Sequence, residues 1–487
     1  MNESSLNQDE LMTSIRAAAP LVMLLLSSCV LGPDHKAPEI TLPAKYAEGS
    51  VKSNGDVSQQ AWWTAFNDTR LNGLIAKGLD QNLDILQALE RINQAEANVI
   101  SASANGLPSL TLSSQAGRSG VRGWSGGTET PASTAASGSL DVSWLLDLFG
   151  RYKRSKESAL ASLDVAYANV DTARLSLLSS VASAYIDVRF YQERIALARE
   201  NLKSRRETLD LTKLQLEAGA ASRLDVVQSE GLVNSTLADI PGLETSYRRA
   251  AHRVATLLAL PASSLLNDLQ RGAGQPVARI NPKSGVPADL IRNRPDIRAA
   301  ERQLAAAVAS IGVAESQLYP SISLGGSITP AYTRVAGGSE SGRLSWSFGP
   351  SLNLPIFDGG QLRANLSSSE SQAREAYLAW KQTVLGAVEE VENALAAITR
   401  DGRTVAAQRA TVASYQEALQ LATASYRDGA SSLLDVLDAQ RQVSSAQANL
   451  AAAIQQQAQD YVTLSVAIGG GYAWGKGPTR LAAATTR

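Results

Sequence analysis

The sequence is short of the residues on which most enzymes and disulfide-built folds depend. Among 487 residues there is one cysteine, Cys29, and there are two histidines, His35 and His252. A single cysteine excludes a disulfide framework and a multi-cysteine metal site. His35 falls in a weakly patterned N-terminal segment and His252 in helical pattern. Neither has a second histidine or a cysteine nearby, so no metal site is expected. With no Gly-rich phosphate loop either, no catalytic residue, cofactor site or enzymatic activity is expected. The charge lacks a dominant sign, 45 basic against 46 acidic residues, which argues against a nucleic-acid partner. Aromatic residues make up only 5%, too few for a thick globular core. Abundant Ala, Ser, Leu and Gln suit long, thin helical packing instead. Long apolar runs are missing too: no window has the 18 or so residues of a transmembrane helix. A chain of this kind can meet a membrane only as a closed barrel or through an anchor.

What is present is written twice. Gly219-Ala220-Ala221-Ser222-Arg223-Leu224-Asp225-Val226 returns as Gly429-Ala430-Ser431-Ser432-Leu433-Leu434-Asp435-Val436, 210 residues on (219 to 429). Asn82-Leu83-Asp84-Ile85 answers Arg294-Pro295-Asp296-Ile297, and Leu107-Pro108-Ser109-Leu110 answers Tyr319-Pro320-Ser321-Ile322. Asp147-Leu148-Phe149-Gly150 answers Ile356-Phe357-Asp358-Gly359 with a few residues' slippage. A period this long is a duplicated domain-sized unit, not a solenoid of 20–50-residue repeats. The expected division is a signal segment over 1–28, a tether and equatorial segment over 29–81, and a first copy over 82–261. A linker over 262–293, a second copy over 294–469 and a tail over 470–487 complete the chain.

The cysteine has an informative setting. Arg16 precedes the apolar run Ala17 to Leu26, then Ser27-Ser28-Cys29. The run is too short to span a bilayer but right for a signal-peptide core. Leu26-Ser27-Ser28-Cys29 resembles a bacterial lipobox, in which the signal is cut before the cysteine and the cysteine takes a lipid; an ordinary signal peptide with an incidental cysteine is the alternative. Val30 follows, with no Asp to suggest inner-membrane retention. The acidic stretch before Arg16 is a poor signal start, and Met12 offers another. Residues 30 to 60 read as a tether.

Helical pattern runs from Trp62-Trp63 toward Ala104, and then the period changes. Leu140, Val142 and Trp144 alternate with Ser139, Asp141 and Ser143, and Leu344-Ser345-Trp346-Ser347-Phe348 does the same. Ser109-Leu110-Thr111-Leu112 and Ser321-Ile322-Ser323-Leu324 are shorter partners. Period two sorts apolar and small polar side chains onto opposite faces, the pattern of an outer-membrane barrel strand of about 10 residues or of a soluble sandwich. Four strands cannot close a conducting barrel, so the barrel reading needs several chains. Gly117 to Gly138 and Gly337 to Gly342 suit exposed hairpin loops. Trp144 and Trp346 read equally as interfacial belt residues or as plain apolar ones.

Each second strand leads into a very long helical pattern, Arg151 to Glu217 and Leu362 to Asp428, roughly 100 Å at 1.5 Å per residue. Apolar residues recur every seven near their ends: Ile195, Leu202, Leu209, Leu216, and again Val405, Val412, Leu419, Tyr426. Such a seam predicts coiled-coil packing. After each Gly-Ala turn the chain returns as helix, from Ser222 toward Leu260 and from Ser432 toward Val466, with Pro241 expected to break or kink the first return.

Several segments together resemble the TolC-like outer-membrane efflux proteins, lipoprotein (NodT-like) branch. They are Trp62-Trp63-Thr64-Ala65-Phe66-Asn67-Asp68 with Leu71, Leu74 and Ile75, and Gly32-Pro33-Asp34-His35-Lys36-Ala37-Pro38 after the cysteine. Arg294-Pro295-Asp296-Ile297-Arg298-Ala299-Ala300-Glu301, Ile311-Gly312-Val313-Ala314-Glu315, Tyr319-Pro320 and Leu354-Pro355-Ile356-Phe357-Asp358-Gly359-Gly360 match as well. The resemblance covers about residues 29 to 470. It implies a mainly α fold with a membrane β part: duplicated units of a strand pair and a long helical hairpin. Three chains with four strands each would make a 12-stranded barrel and an α-helical periplasmic tunnel. It implies a homotrimer in the bacterial outer membrane, lipid-anchored through Cys29 and reaching into the periplasm. Its partners would be outer-membrane lipid, a periplasmic adaptor and an inner-membrane pump of the resistance-nodulation-division class. The cargo would be small molecules such as drugs or metal ions, and no cofactor beyond the covalent lipid is implied.

The resemblance also assigns sites. The hairpin tips, Gly219, Ala220, Ser222, Gly429, Ala430 and Ser431, would contact the adaptor. Asp435 and Asp438, three apart on one helix face, match the family's aperture aspartates and would form carboxylate rings that favour cations. Solvated surface acids or turn caps are the plainer alternative. Asp225 matches Asp435, but Gln228 stands where the second copy has Asp438, so the second tip is expected to be the selective one. A channel for type I protein secretion and a lipid-anchored periplasmic coiled-coil scaffold are the competing readings. The scaffold leaves the four alternating segments unexplained.

Overall fold

A computed structural model describes residues 30–48, 57–122, 124, 130–272, 274–278, 290 and 294–475. The signal segment and Cys29, and with them the lipobox expectation, lie outside the described residues, as do 279–289 and 291–293 of the linker and 476–487 of the tail.

The element order repeats. A 3-10 turn at Trp62–Phe66 and helix α1 (Thr69–Gln81) lead in. The first copy is α2 (Leu83–Ala104), β1 (Ser109–Val121), β2 (Thr130–Leu146), α3 (Arg151–Glu217) and α4 (Arg223–Leu257). A short α5 (Leu266–Gln270) comes next. The second copy is α6 (Pro295–Ser316), β3 (Ser321–Val335), β4 (Glu340–Asn353), α7 (Gln361–Arg427) and α8 (Leu433–Ala467). Corresponding helices have equal lengths: 22 residues for α2 and α6, 67 for α3 and α7, 35 for α4 and α8. No helix among the described residues is long and apolar enough to cross a membrane.

The first residue of each copy is tied to the end of that copy's return helix. Asn82 Nδ2 donates to the Leu257 carbonyl at 2.8 Å, while its Oδ1 accepts from Asp84 N and Ile85 N and so caps α2. Arg294 does the matching job with more force, donating to the Ala467 carbonyl at 3.0 Å and pairing with Asp296 and Glu390. Burial opposes the Arg294 charge, yet Asp296 and Glu390 outweigh it and hold the guanidinium above its ordinary value. Pro295, at the first helical position of α6, forgoes a donor that has no intrahelical partner there anyway.

Two compact units emerge. One comprises the described residues of Met1–Pro38, Ile92–Ala166 and Ala300–Trp380, and the other those of Glu39–Arg91, Tyr167–Ala299 and Lys381–Arg487. The first holds an antiparallel sheet in the order β1-β2-β3-β4. Its register aligns like with like. Leu110 faces Val142, Leu112 faces Leu140, Leu140 faces Ile328 and Ile328 faces Trp346, with Leu352 opposite Ile322. Among the described residues that apolar face is bare toward its edge strands: Leu110 is 68% and Trp346 77% exposed. The other face carries hydroxyl ladders, Ser323 with Ser351 at 2.8 Å and Ser327 with Ser347 at 3.0 Å. The strands run longer than the alternation alone suggested. Gly117–Val121 belongs to β1 and 130–138 to β2, so this stretch is mostly strand rather than loop. Gly, Ser and Ala read as a turn in sequence, but here they pair across the ladder, Gly117 with Ala135 and Ser114 with Gly138.

Two of the resembling motifs meet in this unit. Gly32, at φ +84°, lies so close to Gly312 that a Cβ on Gly32 would come 2.5 Å from the Gly312 Cα. Buried Arg154 donates to the Leu31 and Gly32 carbonyls and pairs with Asp34 at 2.8 Å. His35 lies 2.6 Å from Glu301. Residues 30–35 are therefore pinned, not a loose tether.

The core of the second unit gathers Trp62, Trp63 and Phe66 with Leu71 and Ile75, then Leu178, Val181 and Tyr185 of α3, Val254 of α4 and Val462 of α8. Asp68 caps α1 by accepting from Arg70 N and Leu71 N, and it also accepts from the Tyr185 hydroxyl. Pro241 does not break α4, which runs unbroken from Arg223 to Leu257. The proline removes the donor to the Leu237 carbonyl, but Leu237 is 40% exposed and water can serve that carbonyl.

Candidate functional site

The hairpin tips are built by two local devices, each used twice. At the end of α3, Gly219 takes φ +74° and its N–H donates to the Leu216 carbonyl, while Ala220 N donates to Gln215. At the end of α7, Gly429 takes φ +70° and its N–H donates to Tyr426, while Ala430 N donates to Ser425. This pair of bonds, closed by a left-handed glycine, satisfies the orphan carbonyls of a helix C-terminus. The return helices then open with capping boxes. Asp225 accepts from Ser222 N at 2.8 Å and Ser222 Oγ at 2.7 Å, and Asp435 accepts from Ser432 N at 3.1 Å and Ser432 Oγ at 3.0 Å.

The heptad residues nearest the tips pack along each hairpin. Leu202 and Leu209 of α3 meet Val226 and Val233 of α4, with Leu216 beside them. Tyr426 of α7 meets Leu433, Val436 and Leu437 of α8, with Leu419 alongside. The second tip is held more tightly. Leu433 is buried to 3% exposure where the first copy has exposed Arg223. Leu224 and Leu434 point outward at matching places, 64% and 55% exposed.

The acids divide between two duties. Asp225 and Asp435 are capping residues in equivalent boxes, one of the roles the sequence left open. Asp438 is exposed, and Arg441 on the same helix donates to it at 3.3 Å. Gln228 stands half-buried where the second copy has Asp438. Gly219, Ala220, Ser222, Gly429 and Ala430 are exposed, and Ser431 is half-buried with its Oγ unpartnered among the described residues.

A third feature was missed in the sequence. Above the tips, α3 and α8 meet through polar side chains as well as apolar ones. Gln440 donates to Thr208 Oγ1 at 2.8 Å, Arg205 to Ser444 Oγ at 3.0 Å, and Asn201 to Gln447 at 3.0 Å. Farther along, Gln455 and Gln459 donate to Asp187, whose carboxyl burial pushes above its ordinary value. Arg205 also donates to Thr236 Oγ1 of α4, and no carboxylate pairs with it among the described residues. Burial, together with neighbouring Arg441 and against the pull of Asp239, lowers its guanidinium below the ordinary value. The signal was the spacing 201, 205, 208 against 440, 444, 447, a polar stripe at i, i+4, i+7 beside the apolar seam. Each copy's own hairpin is thus zipped by apolar side chains, while the contact between α3 and α8 adds a run of hydrogen bonds to its apolar packing.

A carboxyl pair lies on α7 and α8. Burial and the neighbouring Asp460 carboxyl push Asp401 up to about 6. Gln456 donates to both Asp460 oxygens at 3.1 Å.

Known proteins share this fold. A sequence model of the family described as outer membrane efflux protein matches residues 74–260 and 286–470, one match to each copy. Nodulation protein T of Rhizobium leguminosarum bv. viciae is 58% identical over 464 residues, covering 95% of this chain and 95% of the relative. The pyoverdine export outer membrane protein OpmQ of Pseudomonas putida is 32% identical over 459 residues, covering 93% and 96%. The solved outer-membrane channel OprN superposes with a TM-score of 0.79 at 32% identity, covering 91% of this chain and all of that one.

Proposed function

The chain belongs to the outer membrane efflux protein family and is the outer-membrane exit duct of an efflux system; we propose that three copies assemble into one duct, gated at the hairpin tips and anchored by a lipid on Cys29. The observation that carries the ring is the four-stranded sheet with an apolar exposed face and two open edge strands, β1 and β4. In lipid every backbone N–H and C=O needs a partner, so open edges must close on further strands. Three copies of four strands make twelve, enough for an aqueous interior with the serine ladders lining it. The 67-residue helices, about 100 Å each at 1.5 Å per residue, would form the periplasmic tunnel.

The tips are the proposed meeting point with a periplasmic adaptor, itself coupled to an inner-membrane pump. Support comes from exposed leucines at matching places on the two tips, Leu224 and Leu434, each near an exposed glycine turn. Asp438, once per chain and three times per ring, is the proposed selective acid, and Asp435 backs it while capping α8. The pinned segment 30–35 supports the anchor, because it would hold a lipid on Cys29 close to the Phe149–Gly150 end of β2. The duct itself has no enzymatic role in this reading. Its cargo is proposed to be small molecules, as the relative OpmQ, named for pyoverdine export, supports. Cells lacking the chain should accumulate a fluorescent efflux dye, and the wild-type gene should restore its export. Equal accumulation with and without the chain would overturn the efflux role.

A further inference from the structure

The two copies end their second strands differently. In the first copy, Phe149 follows β2 and stacks on Tyr319, just ahead of β3, with ring centroids 5.0 Å apart and planes at 28°. Gly150, at φ +76°, lets Val30 lie against it, and Leu31 N donates to the Phe149 carbonyl. This junction, where copy one hands over to copy two across β2 and β3, is closed.

The second copy repeats the ingredients and leaves them open. Ile356 and Phe357 follow β4, and each is 92% exposed. Gly359 and Gly360 also take positive φ, yet a Cβ on either would meet nothing within 4 Å. The slippage in the duplication has a cause here. Asp147 caps α3 from in front of its aromatic, accepting from Tyr152 N and Lys153 N, whereas Asp358 caps α7 from behind its aromatic, accepting from Gly360 N and Leu362 N. The cap has changed sides, and the phenylalanine remains at the strand exit in both.

The duplication also names the missing counterpart. Tyr319 stands before Pro320-Ser321 at the entry of β3, and Leu107 stands before Pro108-Ser109 at the entry of β1. Leu107 is 65% exposed. Yet β1 and β4 are opposite edges of the sheet, three strand spacings or about 14 Å apart. Within one chain, Phe357 therefore cannot seat on Leu107 as Phe149 seats on Tyr319. The step from β2 to β3 is repeated only by the step from β4 to the β1 of a second copy.

We propose that Ile356 and Phe357 dock on Leu107 and Pro108 of a second copy of this chain, repeating across the protomer boundary the Phe149–Tyr319 contact that each chain makes within itself. The proposal rests on the ring reading and deepens it by naming the contact that joins neighbours at the strand exits. Phenylalanine on leucine and proline replaces phenylalanine on tyrosine, so the boundary contact is wholly apolar. Two large apolar side chains left bare side by side mark a contact surface. Asp358 does not oppose the docking, because its carboxylate is turned to the start of α7.

The test uses full-length protein carrying Cys29→Ser, which leaves no other cysteine. Leu107→Cys and Phe357→Cys are introduced together and the detergent-solubilised particle is sized before oxidation. Copper-phenanthroline oxidation should then move most chains to covalent dimers and trimers on a non-reducing denaturing gel, while each single variant stays monomeric. Phe149→Cys with Tyr319→Cys should cross-link within the chain and also stay monomeric. If the first pair does not assemble, Pro108→Cys with Ile356→Cys reads the same contact. A trimer that gives no inter-chain cross-link with either pair overturns this contact but leaves the ring standing, and would put Ile356 and Phe357 in lipid. A Cys29→Ser parent that is itself monomeric before oxidation overturns the ring.

Discussion

Asn82 reaches across its copy to the carbonyl of Leu257, 2.8 Å away, and so ties the first helix of the copy to the last turn of its return helix. The equivalent tie in the second copy is made by Arg294 to Ala467. The duplication preserved the contact while changing the residue that makes it. An amide serves one bond and a cap; a guanidinium adds two carboxylates.

The two ties should therefore break unequally. Asn82→Ala removes a cap and one hydrogen bond, worth about 1–2 kcal/mol together. Arg294→Ala leaves Asp296 and Glu390 without their counter-charge and the Ala467 carbonyl without its donor, and should cost about 2–3 kcal/mol. Thermal unfolding of detergent-solubilised protein followed by circular dichroism should rank Arg294→Ala clearly below Asn82→Ala. Equal midpoints would mean that the ion pairs add nothing to the shared carbonyl bond.

The carboxyl pair predicts a pH dependence of definite sign. Asp401 sits at about 6 in the folded chain against an ordinary 3.8. The folded state thus holds the proton more tightly than the unfolded one. The pair's stabilising share is complete below about 3.8 and is lost as pH rises through about 6. Wild-type protein should melt higher at pH 5 than at pH 7.5 by more than Asp401→Asn does. An identical pH dependence in the variant would remove Asp401 from the account.

Pro241 is a cost that α4 carries without ending. A proline in a helix interior is about 3 kcal/mol worse than alanine, less where water reaches the freed carbonyl. Pro241→Ala should therefore raise stability, by about 1–2 kcal/mol given the exposed Leu237. Hydrogen exchange of the α4 amides around Leu237 should slow in the variant. Faster exchange would show that the proline is needed for packing.

At the second tip, capping and selectivity should separate. Asp435→Asn weakens the box with Ser432 and should loosen the first turn of α8 by about 1 kcal/mol. Asp438→Asn removes an exposed charge without touching the cap. If Asp438 is the selective acid, its variant should lose cation preference and block by a trivalent cation in mixed-salt bilayer recordings, with tip stability unchanged. Gln228→Ala, at the matching first-copy position, should change neither. Full selectivity in Asp438→Asn would place the constriction elsewhere.

Much of this architecture is legible in the residues alone. The 67-residue helices announce themselves through long stretches almost free of Gly and Pro. Their partners are named by the seven-residue spacing from Leu202 to Leu216. The sheet's extent was harder, because Gly117, Ser119 and Ala135 are residues that a turn and a small-residue strand use equally; only cross-strand pairing separates the two. The capping role of Asp225 and Asp435 was legible as Ser-x-x-Asp after a glycine, but the same residues also fit an aperture, and local geometry was needed to assign the cap. The polar contact between α3 and α8 joins residues more than 230 apart, and no local pattern names such a partner. The break expected at Pro241 does not occur, since a proline's penalty falls where the freed carbonyl meets water, and Leu237 is 40% exposed.

The central claim is that copies of this chain enclose a water-filled path through a membrane. Planar-bilayer recording of the purified, detergent-solubilised protein tests it most directly. The account predicts discrete, uniform conductance steps, cation-preferring and reduced by a trivalent cation. Protein that incorporates into the bilayer as an assembled particle yet passes no current would contradict it.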